Sequence, residues 1–376
     1  MRHRILSFFI FPLTILCYGQ GYLDSLPKLN KGEILMLGEK HFVQEVQDVE
    51  MEIVKKYASE KDESLVIFIE LPYQFNFYVK KLVDHGDSLS LKTYFKLFSP
   101  VKTRPYAYNL IMSLYKIRLE EPSLQFFCID RNGKENSVLY TIRDLLKLYP
   151  NCPKSIQKMR YQTDSLIQTD KPDYKSENDG FALHFKIFKQ HFHKHKKDYR
   201  KTLSASDYAF LTHLMGNFTE SFDIRESLMY RNICRHYQQE CKHIAINGDT
   251  HTNKEKLLYY KYSPETKSLA WQLNNDRISP FRKKLYSILI SQNKLVNAEV
   301  ILNDSVILPS KETTDLCLYV PNFIRKELMA QKKDIAIKMI DPIEYPDIHR
   351  QFDGFILIRK AHSTIPGNKE TIEKNW

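Results

Sequence analysis

Glycine is scarce in this chain, with 11 among 376 residues, and the glycine-rich patterns that bind phosphates do not occur. The sequence contains neither a GxGxxG nor a GxxxxGK[ST] run, so nucleotide-dependent chemistry is disfavoured. A GxSxG sequence, which would present a nucleophilic serine on a sharp turn, is absent as well. A hydrolytic enzyme built from this chain would therefore have to use another nucleophile, such as water.

Long hydrophobic runs are also missing, apart from one at the N-terminus. A basic segment at residues 2–4 precedes an apolar stretch at residues 5–17, which is too short to span a bilayer comfortably. This arrangement predicts a signal peptide over residues 1–19, an exported protein, periplasmic or extracellular, and no stable membrane span after cleavage. An N-terminal anchor and, through Cys17, a lipoprotein are the alternatives.

Cysteine is rare, with six residues and no CxxC pair of the kind that holds structural zinc. Signal cleavage would leave an odd number of cysteines, scattered along the chain: Cys128, Cys152, Cys234, Cys241 and Cys317. Such a set makes a poor disulfide framework. We therefore expect a fold held together by an ordinary hydrophobic core.

Negative charge is outweighed by positive charge, and the net charge of +11 becomes +9 once Arg2 and Arg4 are removed with the signal. This balance suits an anionic ligand or surface, but the lysines are spread along the chain and no nucleic-acid-binding motif occurs. We expect no nucleic-acid partner. The His- and Lys-rich segment 184–197 predicts a solvated basic helix, with a metal pair at His191 and His195 as the alternative.

Short apolar runs alternate with longer helical patterns, which indicates an α/β fold with a mixed, largely parallel central sheet flanked by helices. Strands are predicted at 34–37, 65–69, 126–129, 244–246, 305–308, 316–320 and 355–358. Helical spacing of apolar residues predicts helices at 43–59, 73–83, 105–119 and 136–149.

No strand pattern is found between residues 153 and 239, where helical periodicity is interrupted by a polar stretch at 170–180. We predict a helical insertion or lid over about 153–239, in which substrate selection would occur. The last predicted strand follows Asp353 and Gly354 and is expected to join the same sheet. The prediction is therefore one α/β domain over residues 20–376.

Four of the predicted strands end on polar residues that could do chemistry. The first and fourth lead into similar sequences, Gly-Glu-Lys-His at 38–41 and Gly-Asp-Thr-His at 248–251. The second ends on Glu70, and the third ends on Asp130 and Arg131. Ligands bind beyond the carboxyl ends of the strands in an open α/β sheet, so these residues should converge. Their convergence predicts an active site.

His41 is the candidate general base, because a neutral imidazole can take a proton from water, and Glu39 could orient it. His251 is a second imidazole that could bind a substrate oxygen or act as an acid. Glu70 ends an apolar strand, so its pKa should be raised unless a cation compensates. Ordinary surface contacts for His41 and a helix-cap contact for His251 are the structural alternatives.

The expected compensating cation is Arg225, which shares one helical face with Met229 and Asn232. Its guanidinium could neutralise Glu70 or bind a carbonyl or carboxylate of the substrate. A capping box formed by Asp223 and Glu226 is the alternative for this segment. The residues assigned to substrate binding are Asp130, Arg131, Glu226, Asn232 and Asp249. A salt bridge within a turn is the alternative for Asp130 and Arg131.

These residues together resemble the erythromycin esterase-like hydrolases, a group that also contains the Tiki metalloproteases and the haem-uptake lipoproteins. The resemblance is carried by Gly38-Glu39-x-His41, Glu70, Arg225-Glu226-x-x-Met229-x-x-Asn232, Gly248-x-x-His251 and Phe352-Asp353-Gly354, in this order over most of the chain. It implies that His41 activates water for attack on an ester or lactone. Glu39, Glu70, Arg225 and His251 would complete the catalytic pocket.

One departure from the family matters for the substrate. Macrolide-cleaving members carry Glu-x-x-His in the first motif, whereas this chain has Glu39-x-His41, which is closer to the haem-uptake and Tiki branches. The sequence also leaves open whether the site uses a divalent metal, because Glu39, His41, Glu70 and His251 are suitable ligand types.

The sequence therefore predicts an exported hydrolase that cleaves an ester, lactone or related acyl bond of a small molecule. Two alternatives remain: a metal-dependent hydrolase or peptidase built from the same residues, and a periplasmic binding protein for haem or another anionic ligand.

Overall fold

The computed structural model describes residues 20–39, 41, 43–60, 63–100, 103–170, 179–218, 221–255, 266–292, 322–331 and 333–358. Seven strands are found in these residues: β1 (Ile34–Glu39), β2 (Ser64–Pro72), β3 (Gln125–Asp130), β4 (Cys241–Gly248), β5 (Leu285–Gln292), β6 (Ile335–Met339) and β7 (Gly354–Ile358).

The helices of the same residues are α1 (Gln44–Ala58), α2 (Phe75–His85), α3 (Ser88–Phe98), α4 (Arg104–Glu120), α5 (Glu135–Lys147), α6 (Lys154–Asp170), α7 (Asp179–Lys194), α8 (Lys196–Thr202), α9 (Ala205–Leu214), α10 (Phe222–Arg235), α11 (Leu269–Asn275), α12 (Asn322–Ala330) and α13 (Pro346–His349). Two short 3-10 helices lie at Gln20–Ser25 and Asp249–His251. None of the helices described is both long and apolar enough to cross a membrane.

The seven strands form one sheet in the order β3-β2-β4-β1-β5-β7-β6. All neighbouring strands run parallel except β6, which pairs antiparallel with β7. The predicted α/β class and the mixed, largely parallel sheet are thus confirmed. The last predicted strand belongs to this sheet, since β7 pairs with β5.

The centre of the sheet is buried on both faces. All six residues of β1 are buried, and alternate side chains point to opposite faces, as in any strand. Leu35 and Leu37 pack in the cluster that contains α1, whereas Ile34 and Met36 pack in the cluster that contains α10 and α11. Helices on both faces explain why these strands appear in the sequence as short continuous apolar runs.

Two strands and four helices were missed from the sequence: β5, β6, α3, α11, α12 and α13. The predicted strands at 305–308 and 316–320 lie outside the described residues, as do the predicted signal at 1–19 and Cys317. Within the predicted insertion at 153–239, the described residues form helices α6 to α10 and no strand. Residues 171–178 of the polar interruption lie outside the described part.

Candidate active site

The polar residues at the ends of the first four strands meet at one edge of the sheet. Glu39 is the last residue of β1, Glu70 lies near the end of β2 and Asp130 is the last residue of β3. His251 lies in the 3-10 helix that directly follows β4. Because β1 to β4 are mutually parallel neighbours, their carboxyl ends fall on the same side of the molecule.

Glu39 and His41 form a pair in which the carboxylate orients the imidazole. Glu39 is buried, and its Oε1 lies 2.8 Å from Nδ1 of His41. Its second oxygen accepts a hydrogen bond of 2.6 Å from the hydroxyl of Tyr106 in α4. The side chain of His41 is 35% exposed, and its Nε2 faces Glu70 Oε2 at 3.5 Å. His41 is therefore the group of this pair that solvent or a substrate can reach.

Glu70 is the centre of the site, because both of its oxygens hold several partners. Oε1 contacts Nη2 of Arg225 at 2.5 Å and Nε2 of His251 at 3.1 Å. Oε2 accepts a hydrogen bond of 2.6 Å from the backbone N–H of Gly248. A single carboxylate therefore contacts both histidines and the arginine.

The end of β4 approaches this carboxylate closely at Gly248. A Cβ atom on Gly248 would lie 3.0 Å from Nε2 of His41 and 3.3 Å from Oε2 of Glu70. Both distances are tighter than ordinary van der Waals contacts. The glycine of the second strand-end motif is thus explained by the backbone packing directly against the site.

Arg225 joins two strand ends from the first turns of α10. Its Nε and Nη2 donate to the two oxygens of Asp130, each at 2.8 Å, in the forked geometry that guanidinium and carboxylate share. Since Nη2 also donates to Glu70, one side chain links β2 to β3. The predicted partnership between Arg225 and Glu70 is present in the structure.

His251 lies behind the site, between two carboxylates. Its Nε2 contacts Glu70 and its Nδ1 forms an ion pair with Glu226. Glu226 also accepts a hydrogen bond of 2.6 Å from the backbone N–H of Leu269 at the start of α11. Both His251 and Glu226 are buried, so this pair links Glu70 to α10 from within the protein.

These contacts shift the pKa values of His41, His251 and Glu70. Burial alone would lower the pKa of His41, but Glu70 and Glu39 outweigh it and raise that pKa well above its usual value. Burial likewise disfavours the charged form of His251, yet Glu226 and Glu70 raise its pKa to about 10. Burial would raise the pKa of Glu70, but the two histidines hold it well below its usual value.

Some sequence-based assignments change. Glu226 is fully buried and pairs with His251 instead of closing a capping box with Asp223. Asn232 is fully buried, donates to the backbone oxygen of Ile129 at 2.6 Å and bonds to His213, so it ties α10 to β3.

Arg131 and Asp249 lie at the margin of the site. Arg131 is half-buried, and its backbone N–H donates to the side chain of Asp130 at 2.7 Å. Asp249 is also half-buried, and its backbone oxygen accepts the hydroxyl of Thr252 at 2.7 Å. The helix that this segment was suggested to cap would begin near Lys254, and residues 256–265 lie outside the described part of the chain.

Two residues near the site were missed from the sequence. Tyr106 bonds to Glu39 from a helix 67 positions away, and nothing in the local pattern indicates this contact. Glu50 in α1 is buried, and both of its carboxyl oxygens lack a hydrogen-bond partner among the described residues. Its place on the apolar face of the helix, next to Val49 and Ile53, was a signal that sequence analysis could have used.

The strand-end residues do not form a ligand set for a divalent metal in this arrangement. Each oxygen of Glu70 already accepts from an N–H donor, Oε1 from the guanidinium of Arg225 and Oε2 from the backbone of Gly248. Among the residues described, no three His, Cys, Asp or Glu side chains are arranged to hold a metal ion. The rings of His191 and His195 in the basic segment stack on each other at 4.4 Å.

Comparison with known proteins shows likeness in fold. No protein-family model matches the chain, and no curated protein matches it in a sequence search. The structure is similar to that of an erythromycin esterase mutant in its open conformation, with a TM-score of 0.55, 11% identity, and coverage of 92% of this chain and 93% of that chain.

Two further solved structures are similar over nearly their whole length. A Bacillus cereus protein matches with a TM-score of 0.51 and 17% identity, covering 90% of this chain and 91% of that chain. A succinoglycan biosynthesis protein matches with a TM-score of 0.51 and 12% identity, covering 88% of each chain. The predicted resemblance to the erythromycin esterase-like group is thus confirmed at the level of the fold.

Proposed function

We propose that this chain, which shares its fold with an erythromycin esterase, is a hydrolase that cleaves an ester, lactone or related acyl bond of a small molecule. One observation carries the proposal: a partly exposed imidazole, His41, lies between two buried carboxylates at the carboxyl edge of the sheet. A histidine held in this way can activate water for attack on a carbonyl carbon.

The reaction begins with the Glu39 carboxylate accepting the N–H of His41 Nδ1. This hydrogen bond leaves Nε2 as the proton acceptor when the imidazole is neutral. As the water oxygen bonds to the carbonyl carbon, Nε2 takes one water proton. Glu39 and Glu70 stabilise the imidazolium that forms. The proton then passes to the leaving alkoxide as the acyl C–O bond breaks, giving a carboxylic acid and an alcohol.

Arg225 and His251 supply positive charge for the oxyanion that develops on the carbonyl oxygen. Glu70 and Asp130 engage Nε and Nη2 of Arg225, so Nη1 is the guanidinium nitrogen that neither carboxylate engages. Two carboxylates hold the proton on His251. Positive groups fixed in advance are effective because no solvent has to reorganise around the new charge.

The test is hydrolysis of a panel of activated esters and lactones by the purified protein and by His41→Ala, with and without a chelator. We expect His41→Ala to reduce kcat/KM by at least about 100-fold, and chelation to have no effect. The matched control is His193→Ala, which removes an exposed imidazole from α7 and should leave turnover unchanged. Turnover that survives His41→Ala, or that a chelator abolishes, would contradict the mechanism.

We also propose that residues 1–19 are a secretory signal and that the protein acts outside the cytoplasm, supported by the basic, apolar and small-residue order of this segment. Mass spectrometry of the protein recovered after expression in a bacterial host should find a chain that begins at Gln20. A chain that still begins at Met1 and stays in the cytoplasm would contradict export.

A further inference from the structure

A second cavity lies at the outer edge of the sheet, away from the candidate active site. Its volume is about 590 Å³, and it is bordered by β3, α2, α9 and the end of α10. Aromatic rings form much of its wall: Tyr73, Phe77, Phe127 and Phe210. This volume falls in the range of pockets that bind small organic molecules. Arg235, at the cavity, lies about 15 Å along the α10 axis from Arg225 in the active site.

The charged groups around this cavity are not balanced. Arg118 and Arg235 both line it, and neither forms an ion pair within the part of the chain that the structure describes. Nη1 of Arg118 is buried and has no hydrogen-bond partner there. Lys80, by contrast, is paired with Asp84, and Asp207 accepts a hydrogen bond from a tyrosine hydroxyl. Among the described residues, neither guanidinium group is therefore paired with a carboxylate, those of Asp84 and Asp207 in the same lining included.

His236 adds a neutral polar atom to the same wall. Its ring stacks on Phe127 with centroids 4.0 Å apart, and its Nε2 is buried without a partner among the described residues. Burial and the nearby Arg235 lower the pKa of His236 to about 4, so the imidazole is neutral at neutral pH. A neutral imidazole can donate one hydrogen bond to an anion in the cavity.

The exposed edge of β3 also faces the cavity. Asn76 bonds to the backbone N–H and the backbone oxygen of Cys128, each at 2.8 Å, and so covers the edge at that residue. Backbone groups two residues apart on a strand point to the same side, so those of Phe126 face the cavity. The cavity thus offers hydrogen-bond donors beside a mostly apolar surface.

We propose that this cavity binds a small organic carboxylate with an apolar body, with Arg118 and Arg235 holding the carboxylate and the aromatic rings enclosing the body. The assignment follows from two guanidinium groups without anionic partners beside an aromatic wall. Guanidinium binds carboxylate strongly because its donors match the geometry of the two oxygens. The proposal does not depend on the hydrolase activity, because binding can be measured without turnover.

The test is calorimetric titration of the purified protein with two probes, decanoate and naphthoate, and with the neutral alcohols of matching shape. We expect at least one carboxylate to bind at least about tenfold more tightly than its alcohol, because a charged hydrogen bond is lost in the alcohol. Comparing the two acids distinguishes a flexible chain from a flat ring as the apolar body. Equal binding of acid and alcohol, or no binding of either acid, would overturn the proposal.

Variants locate the binding. Arg118→Gln and Arg235→Gln should each weaken carboxylate binding about tenfold. The matched control is Lys80→Gln, which removes a charge of the same cavity that Asp84 already neutralises, and it should have little effect. Arg235 is exposed, so its replacement does not threaten folding. Equal losses in all three variants, or no loss in either arginine variant, would overturn the assignment.

A further pair of variants separates this cavity from the active site. Ala209→Trp fills the cavity without changing its charge and should abolish binding, whereas Arg225→Gln should leave binding intact. Near-ultraviolet circular dichroism of each variant verifies that its tertiary structure is kept. The opposite result, binding lost in Arg225→Gln and kept in Ala209→Trp, would place the carboxylate in the active site and refute the proposal.

Discussion

His41 is held by two carboxylates, so the pH dependence of turnover reports its environment directly. Burial favours the neutral ring, but Glu70 and Glu39 raise the pKa of His41 well above 6.5. The base form therefore exists mainly above that raised pKa, and kcat/KM should increase as pH rises through it. Glu70→Gln removes one of the charges that raise the pKa, so its profile should shift to lower pH.

The measurement is kcat/KM from mildly acidic to alkaline pH for the unmodified protein and for Glu70→Gln. Asp347→Asn, which changes an exposed carboxylate far from the site, serves as the control and should leave the profile unchanged. A profile that falls as pH rises, or one that Glu70→Gln moves to higher pH, would contradict a general base at His41.

Gly248 illustrates how little space the site leaves. Gly248→Ala would push its Cβ against Nε2 of His41, and the imidazole would have to move. We expect kcat/KM to fall by about tenfold, because even a small shift of the imidazole misaligns the reacting groups. Gly216→Ala is a suitable control, since its nearest neighbour would be 3.9 Å away. Equal activity of the two variants would show that the close approach does not matter.

The sequence could predict which residues end the strands, because an apolar run that stops on a charged residue is visible locally. It could not predict Tyr106 or the role of Glu226, because each depends on a partner far along the chain. The raised pKa expected for Glu70 was conditional on the absence of a cation. Three cationic groups surround this carboxylate, and the pKa falls instead.

At the scale of elements, α10 supports much of the site. Its Arg225 joins Glu70 to Asp130, its Glu226 fixes His251, and its Asn232 bonds to the backbone of β3. Arg225 and Asn232, two helical turns apart, share one face of the helix, and Glu226 directly follows Arg225. The helix therefore acts as the brace that sets the distance between β2, β3 and the segment after β4.

Asn232→Ala should weaken that brace. It leaves the backbone oxygen of Ile129 and the ring of His213 without their partner in a buried region, which we expect to lower the free energy of unfolding by about 2 kcal/mol. Urea denaturation measures the change. Ser227→Ala on the same helix removes an exposed hydrogen bond and should cost much less. Equal losses in the two variants would argue against the brace.

The missed strands show where sequence patterns stop being informative. β5 pairs with β1, a strand about 250 positions earlier, and β6 pairs only with β7 at the edge of the sheet. β6 is short and only partly buried. The strand conformation of both depends on partners that local propensity does not reveal. The four strands that carry the site were found because each contains a continuous apolar run that stops on a polar residue.

At the scale of the whole molecule, Asp353 ties distant parts of the chain together. Its carboxylate accepts from the backbone N–H of Ser287 in β5 and from the buried ammonium of Lys254, each at 2.7 Å. Lys254 follows shortly after His251, so the C-terminal motif fixes the segment that carries this histidine. The Phe352-Asp353-Gly354 motif thus has a structural role.

Asp353→Ala should be strongly destabilising, because it leaves the charge of Lys254 buried and unpaired. We expect a loss of about 3 to 5 kcal/mol in the free energy of unfolding, measured by urea denaturation. Asp347→Ala is the control, because it removes an exposed ion pair with Arg350 and should cost less than about 1 kcal/mol. A small effect of Asp353→Ala would refute this role.

The two ends of α10 face different sites, with Arg225 at the candidate active site and Arg235 at the edge cavity. One continuous helix, Phe222–Arg235, therefore connects the two sites. By thermodynamic linkage, any coupling between the two sites is reciprocal. If a ligand in the cavity changes the affinity of the active site for its own ligand, that ligand changes the affinity of the cavity by the same factor. If the two sites are coupled, a carboxylic acid bound in the edge cavity would regulate the proposed hydrolase without competing with its substrate.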